Sequence, residues 1–148
     1  MSGQRPSAER PERVLADLLA LLAIADQAIA LQERADKVLR ACASGDEQSV
    51  LVAREGGRLA GEYRRLWGWS LDFAPNAGAR SLERRLSELI MQHCHVLHVA
   101  VWLALPTYRF PAGQRRHPLP GDLSAPAAEL RSVRDELDLW ITVRTPAQ

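Results

Sequence analysis

The sequence predicts an all-α fold: a four-helix, bundle-like single domain with long first and third helices and a Pro-rich connection before the last. Three observations carry this. Apolar residues recur at spacings of three and four over long stretches. Segments rich in Gly and Pro divide the chain into four such stretches. A length of 148 residues, 47% hydrophobic and 25% charged, suits one globular domain with a sizeable core.

Residues 1–10 are polar and read as a flexible N-terminal segment, leaving 11–145 as the helical bundle domain. The first helix is expected from Pro11, since proline suits a first turn, to about Ala43, where Ser44-Gly45 stops it. Its apolar stripe is not straight. On a wheel of about 100° per residue, Val14, Leu18, Leu21, Leu22, Ala25 and Ile29 share one face, and Ile24, Ala28, Leu31, Ala35, Val38 and Cys42 centre about 100° away. Either the helix breaks near Asp26-Gln27 or one long helix touches two partners, and the second case would suit a dimer.

The second helix is expected to begin near Ser44 or Asp46, where Ser44-x-x-Glu47 has the form of a capping box. Val52, Gly56, Leu59, Tyr63, Leu66 and Trp67 form its apolar stripe. Gly56, Gly57 and Gly61 each cost about 1 kcal/mol relative to Ala in a helix, which points to a close backbone approach or a kink at Gly56. Gly68 to Gly78 reads as a loop carrying Trp69 and Phe73.

The third helix, about Ala79 to Leu105, places Leu82, Leu86, Leu89, His93, Leu97, Ala100 and Ala104 on one face. From Val96 to Leu105 only His98 is polar, so this half is expected to be surrounded on several sides, until Pro106 ends it. Pro106 to Ser124 is a long connection carrying Arg115-Arg116-His117, and long connections are often functional. Ser124 and Pro126 then open a last helix, with Leu130, Val133, Leu137, Trp140 and Ile141 as its buried stripe.

Net charge is +1, so no global field draws the chain to nucleic acid or an anionic membrane. Lys37 is the only lysine, and the excess of Arg, Ala and Leu fits the codon bias of a GC-rich bacterial genome. Cys42 and Cys94 have no zinc-ribbon or disulfide-framework spacing, and reduced cytosolic thiols are expected. Arg5, Arg10 and Arg13 before the apolar run Val14–Ala25 imitate a secretory signal. Glu9, Glu12 and Asp17 argue against it, as does helical periodicity that continues past the would-be cleavage point, so the expected location is cytoplasmic. No stretch is expected to reach the roughly 20 apolar residues of a membrane span.

Three constellations could carry function. His93, Cys94, His95 and His98 cluster in six residues, but helical geometry separates them. Only Cys94 and His98, at i,i+4, could share a metal, and without a second spaced pair no metal or other cofactor is expected. His93 falls in the middle of an apolar stripe. It is read either as a hydrogen-bonded core histidine or as a catalytic or ligand-binding group in an apolar pocket lined by Trp102 and Tyr108. Arg54, Arg58 and Arg65 share one face of the second helix and could grip phosphates or an acidic helix. Alternatively, pairing such as Arg58 with Glu62 makes this a solvated, salt-bridged face. Trp67 and Trp69, with Phe73, are interface anchors if exposed and bundle-end packing if buried.

Catalytic signatures are otherwise absent: no phosphate-binding glycine loop, no nucleophile elbow, and a spacing from Arg85 to His93 too wide for an Arg-x4-6-His nuclease motif. The expected function is therefore macromolecular binding in a regulatory or assembly role, with self-association as a homodimer. The expected partner is a protein, with no nucleic acid or membrane. The alternative is a small bundle enzyme or ligand-binding protein using His93, whose small-molecule ligand the sequence leaves open.

Overall fold

The computed structural model describes residues 11–44, 50–73, 81–104 and 122–145. Pro11 opens α1 (Pro11–Ala30), and α2 (Gln32–Ala43) follows after a hitch at Leu31. Leu31 keeps a right-handed helical backbone (φ −81°, ψ −14°), and the Ala35 N–H still reaches its carbonyl at 3.0 Å. The two helices are therefore one interrupted rod. Among the described residues the other helices are α3 (Val50–Leu71), α4 (Leu82–Ala104) and α5 (Ser124–Arg144), which with the first rod make an all-α bundle of four rods. Residues 1–10 and most of the Pro-rich connection lie outside the described residues.

The expected break near Asp26-Gln27 lies instead at Leu31, where Tyr63 donates its hydroxyl to the Ala28 carbonyl in the last turn of α1 (3.1 Å). A side chain drawing on a helix carbonyl is a recognised local cause of such departures. The two apolar faces of the rod are both used within the chain. Leu18, Leu21 and Ala25 are buried in the half that packs mainly on α5, and Ala35, Val38 and Cys42 in the half that packs on α3 and α4. The offset stripe is thus satisfied without a second copy. By length and composition the rod Glu12–Ala43 could cross a membrane, which corrects the expectation that no stretch could. Core helices and signal sequences share that composition, and this rod lies against α3, α4 and α5.

Two helix ends carry side-chain detail beyond the sequence expectation. Ser44 closes α2: its hydroxyl donates to the Ala41 carbonyl (2.8 Å) and its N–H to the Arg40 carbonyl (3.1 Å), while Asp46 and Glu47 of the expected α3 start lie outside the described residues. At α5, Ser124 is not the cap but is itself held by Asp122, whose carboxylate accepts from the Ser124 N–H (3.2 Å) and hydroxyl (2.5 Å). These two bonds to Ser124 hold the Asp122 carboxyl below its usual range.

α3 and α4 form the largest helix pair and run antiparallel, as Gly56 against Val101, Ala60 against Cys94 and Ser70 against Ser87 require. α3 continues through Gly68, Trp69 and Ser70, where the sequence suggested a loop, because Ser70 is fully buried and hydrogen-bonded to Ser87 (2.8 Å). The expected close approach at Gly56 is present, since a Cβ there would overlap the side chain of Val101 and press on Val38 at 3.1 Å. The second half of α4 is less enclosed than expected: Leu97 and Ala100 are buried, whereas Val96, Val99 and Val101 are half-buried and Trp102 is exposed. In α5, Leu130, Val133 and Leu137 are buried as expected, but Ile141 is only half-buried and Trp140 lies outside, under Arg144. Ion pairs of Arg134 with Asp26 (3.0 Å) and Arg85 with Glu136 (3.2 Å) tie α5 to α1 and α4.

The glycines of α3 give a paired test. Gly56→Ala should lose about 1–3 kcal/mol of stability through overpacking, despite alanine's better helix propensity. Gly57→Ala, where nothing lies within 4 Å of the new methyl, should gain up to about 1 kcal/mol. Chemical denaturation of both variants measures the difference in sign.

Candidate functional site

Two places in the fold combine polar chemistry with defined geometry: a sealed seam around His93 and the outer face of α3. His93 sits mid-way along α4 with 0% exposure. Its Nδ1 lies 2.7 Å from the Leu89 carbonyl, one turn back on the same helix. A carbonyl only accepts, so Nδ1 carries the proton and Nε2 presents its lone pair. That lone pair faces the side-chain amide nitrogen of Gln32, which donates to it across the α2–α4 contact at 3.3 Å. The Tyr63 ring closes the third side, its centroid 5.2 Å from the imidazole and tilted by 32°.

Burial disfavours the imidazolium and lowers the His93 pKa, although the Leu89 carbonyl and the charge of Asp36 act the other way. Burial likewise pushes the Tyr63 hydroxyl well above its usual value, with Asp36 and Glu62 adding to the shift. Cys94, next along α4, turns to α3 and donates its thiol to the Ala60 carbonyl (3.3 Å). Its pKa is raised by burial, with Arg64 opposing. The Cys94 thiol is therefore protonated and engaged, whereas His95 and His98 are exposed. The Cys94–His98 pair is not assembled as a metal site, and the described residues hold no group of three or more His, Cys, Asp or Glu that could bind an ion.

The pocket read from sequence is not assembled either. His93 and Trp102 lie nine residues apart on one helix, which places them on opposite faces about 13 Å apart along the axis. His93 is sealed while Trp102 is 51% exposed, and Tyr108 lies outside the described residues. His93 is thus a satisfied core group. Sequence reasoning missed its partner Gln32, although Gln32 stands four residues after Ala28 and three before Ala35, inside the second apolar stripe. It also missed Ser70 and Ser87, which pair in the core.

The outer face of α3 is a different surface. Arg54, Arg58, Arg65 and Trp69 fall within about 60° of one another on the helix and are all exposed. Arg65 lies over the Trp69 ring at 5.8 Å, while Trp67 points the other way and packs half-buried on the core. The expected Arg58–Glu62 pairing is not how the charges resolve. Glu55 is bound by Arg34 of α2 (2.6 Å), which also reaches Glu62 (3.8 Å), leaving Arg58 a long contact to Glu55 at 3.9 Å. The Glu55 hydrogen bond, with the charges of both glutamates, raises the Arg34 pKa. One arginine of α2 thereby draws off the acids that would otherwise neutralise the strip.

No protein-family model matches this chain, and no curated protein or solved structure resembles it significantly, so these residues carry the functional reading by themselves.

The seam predicts a pH response. The folded His93 pKa is depressed, so the unfolded chain takes up the proton first. Stability is therefore full above the ordinary imidazole value of about 6.5 and is lost as pH falls from there through the folded pKa. His93→Leu should abolish that part of the pH dependence. At alkaline pH it should cost about 1–3 kcal/mol, because the buried Gln32 amide loses its acceptor. Urea unfolding of both proteins across this pH range measures both effects.

Proposed function

We propose that this protein works by binding another protein through the outer face of α3, and that its partner segment is acidic. The observation that carries this reading is the capture of Glu55 and Glu62 by Arg34, which leaves Arg54 and Arg65 in solvent without an ion pair among the described residues and Arg58 with only a long contact to Glu55 at 3.9 Å. Trp69, 46% exposed beneath Arg65, adds a flat apolar anchor at one end, and Leu51, 73% exposed, a second at the other. Arginine and tryptophan are the residues that most often dominate binding energy at protein interfaces. Arginine also forms bidentate contacts with carboxylates.

The reading extends to self-association. Leu139, Trp140 and Val143 are exposed on the last two turns of α5, and such clusters of large apolar side chains commonly mark contact surfaces. A second copy of the chain is thus a candidate partner alongside another protein. A cytoplasmic location fits a chain with only two cysteines, Cys42 and Cys94, both buried in the core. The rival in which His93 serves a ligand or a reaction has less support, because the imidazole is sealed and both its nitrogens are engaged.

The test uses an acidic, helix-forming Glu-rich peptide as probe, with light scattering to follow self-association. Wild-type protein should bind the peptide with an affinity that falls steeply with salt. The triple reversal Arg54→Glu, Arg58→Glu, Arg65→Glu should weaken binding at least about tenfold. Trp69→Ala should weaken it at both low and high salt. Equal binding by wild type and the triple variant would refute the α3 surface, and a strictly monomeric species at all concentrations would remove the self-association half.

A further inference from the structure

The polar seam holds one atom that its neighbours do not satisfy. Gln32 is 4% exposed, and its amide nitrogen donates to His93 Nε2, yet its Oε1 is buried without a hydrogen-bond partner among the described residues. A buried carbonyl oxygen left unpaired is costly, and natural cores contain few. Here the orphan acceptor belongs to the same carboxamide that already faces the one free lone pair of a buried imidazole.

The two protonation states of His93 ask opposite things of that carboxamide. With Nε2 bare, the imidazole needs a donor, and the amide nitrogen supplies it at 3.3 Å. With Nε2 protonated, the ring is a donor on both sides. Nδ1–H keeps the Leu89 carbonyl at 2.7 Å, and Nε2–H needs an acceptor where the amide nitrogen now stands. Turning the carboxamide over by half a rotation exchanges its nitrogen for its oxygen in nearly the same volume. We propose that Gln32 is a proton-responsive partner of His93: when a proton from solvent adds to the Nε2 lone pair, the amide turns over and Oε1 accepts the new N–H, so that the bundle holds the imidazolium while folded.

The surroundings suit this exchange. The titratable groups that bear on His93 are Asp36 of α2, whose charge favours the imidazolium, and Tyr63 of α3, which stacks on the ring and stays neutral. No charged group of α1 or α5 among the described residues acts on it. Gln32 is also the first residue of α2, directly after the Leu31 hitch, so the exchange takes place where the rod is already interrupted.

The test is a pH titration by NMR with circular dichroism alongside. In wild-type protein, the side-chain amide resonances of Gln32 should shift with the same midpoint as the His93 ring, with the helical signal retained through that midpoint. Gln32→Leu removes the acceptor and should lower the His93 midpoint by about one pH unit, a tenfold loss of proton affinity. The proposal is overturned if the Gln32 amide does not respond at the His93 midpoint, if helix is lost together with His93 titration, or if the folded Gln32→Leu protein titrates as wild type does. Should that variant fail to fold, the wild-type amide response decides alone.

Discussion

A single imidazole sets the terms for the centre of this bundle. A histidine wholly inside a helical core must find a partner for each ring nitrogen, and the two partners of His93 come from different directions: the Leu89 carbonyl from its own helix and the Gln32 amide from α2. The first fixes the tautomer, and the second fixes where along α4 the rod of α1 and α2 must lie. Tyr63 completes the arrangement. Its ring rests against the imidazole, while its hydroxyl reaches past to the Ala28 carbonyl, so one side chain of α3 touches both α4 and the last turn of α1 before the hitch at Leu31. Nonpolar packing supplies most of the driving force for such a fold, and the polar seam selects one register from the several that apolar stripes allow.

α3 joins this interior to the proposed binding surface. Its inner face carries Gly56, Leu59, Tyr63 and Leu66, with Gly56 close enough to α4 and α2 that a methyl would not fit. Its outer face carries the arginines and Trp69. The ion pairs of Arg34 with Glu55 and Glu62 lie on the boundary between the two and have two consequences. They add a link between α2 and α3, worth little by itself at a solvent-exposed site. They also leave a local excess of positive charge on a protein that is nearly neutral overall.

Much of the architecture could be read from periodicity. The stripes of α3 and α4 identified the centres of their buried faces but not the flanking Ala60, Ser70, Ser87, Ile90 and Cys94, and Pro11 and the stop at Ser44 placed the ends of the first rod. The cost of Gly56 in a helix pointed to a close approach, and the structure has one. Other features depend on contacts that a wheel cannot supply. Gln32 and His93 are 61 residues apart, so nothing local marks them as partners. A serine at a helix boundary can accept at an N-terminus or donate at a C-terminus, and the donation of the Ser44 hydroxyl to the Ala41 carbonyl is not marked by its sequence. Trp140 and Ile141 sit on either edge of the α5 stripe, and only packing decides which of them turns outward. The run from Val96 to Leu105 is, apart from His98, apolar enough for a central element, but apolarity does not say how many neighbours surround it. Of the candidate site residues, Arg54, Arg58 and Arg65 lie on one exposed face as their spacing implied, Trp69 joins them because α3 runs on through the expected loop, and His93 and Trp102 do not meet.

The central claim is that His93, in its uncharged form, is a structurally committed imidazole with its proton on Nδ1. Long-range correlation of the His93 ring nitrogens with its carbon-bound protons measures this directly in alkaline solution, where the ring carries one proton. The geometry predicts one dominant form, protonated at Nδ1 and bare at Nε2. A ring protonated at Nε2, or an equal mixture of tautomers typical of a solvent-exposed histidine, would contradict it.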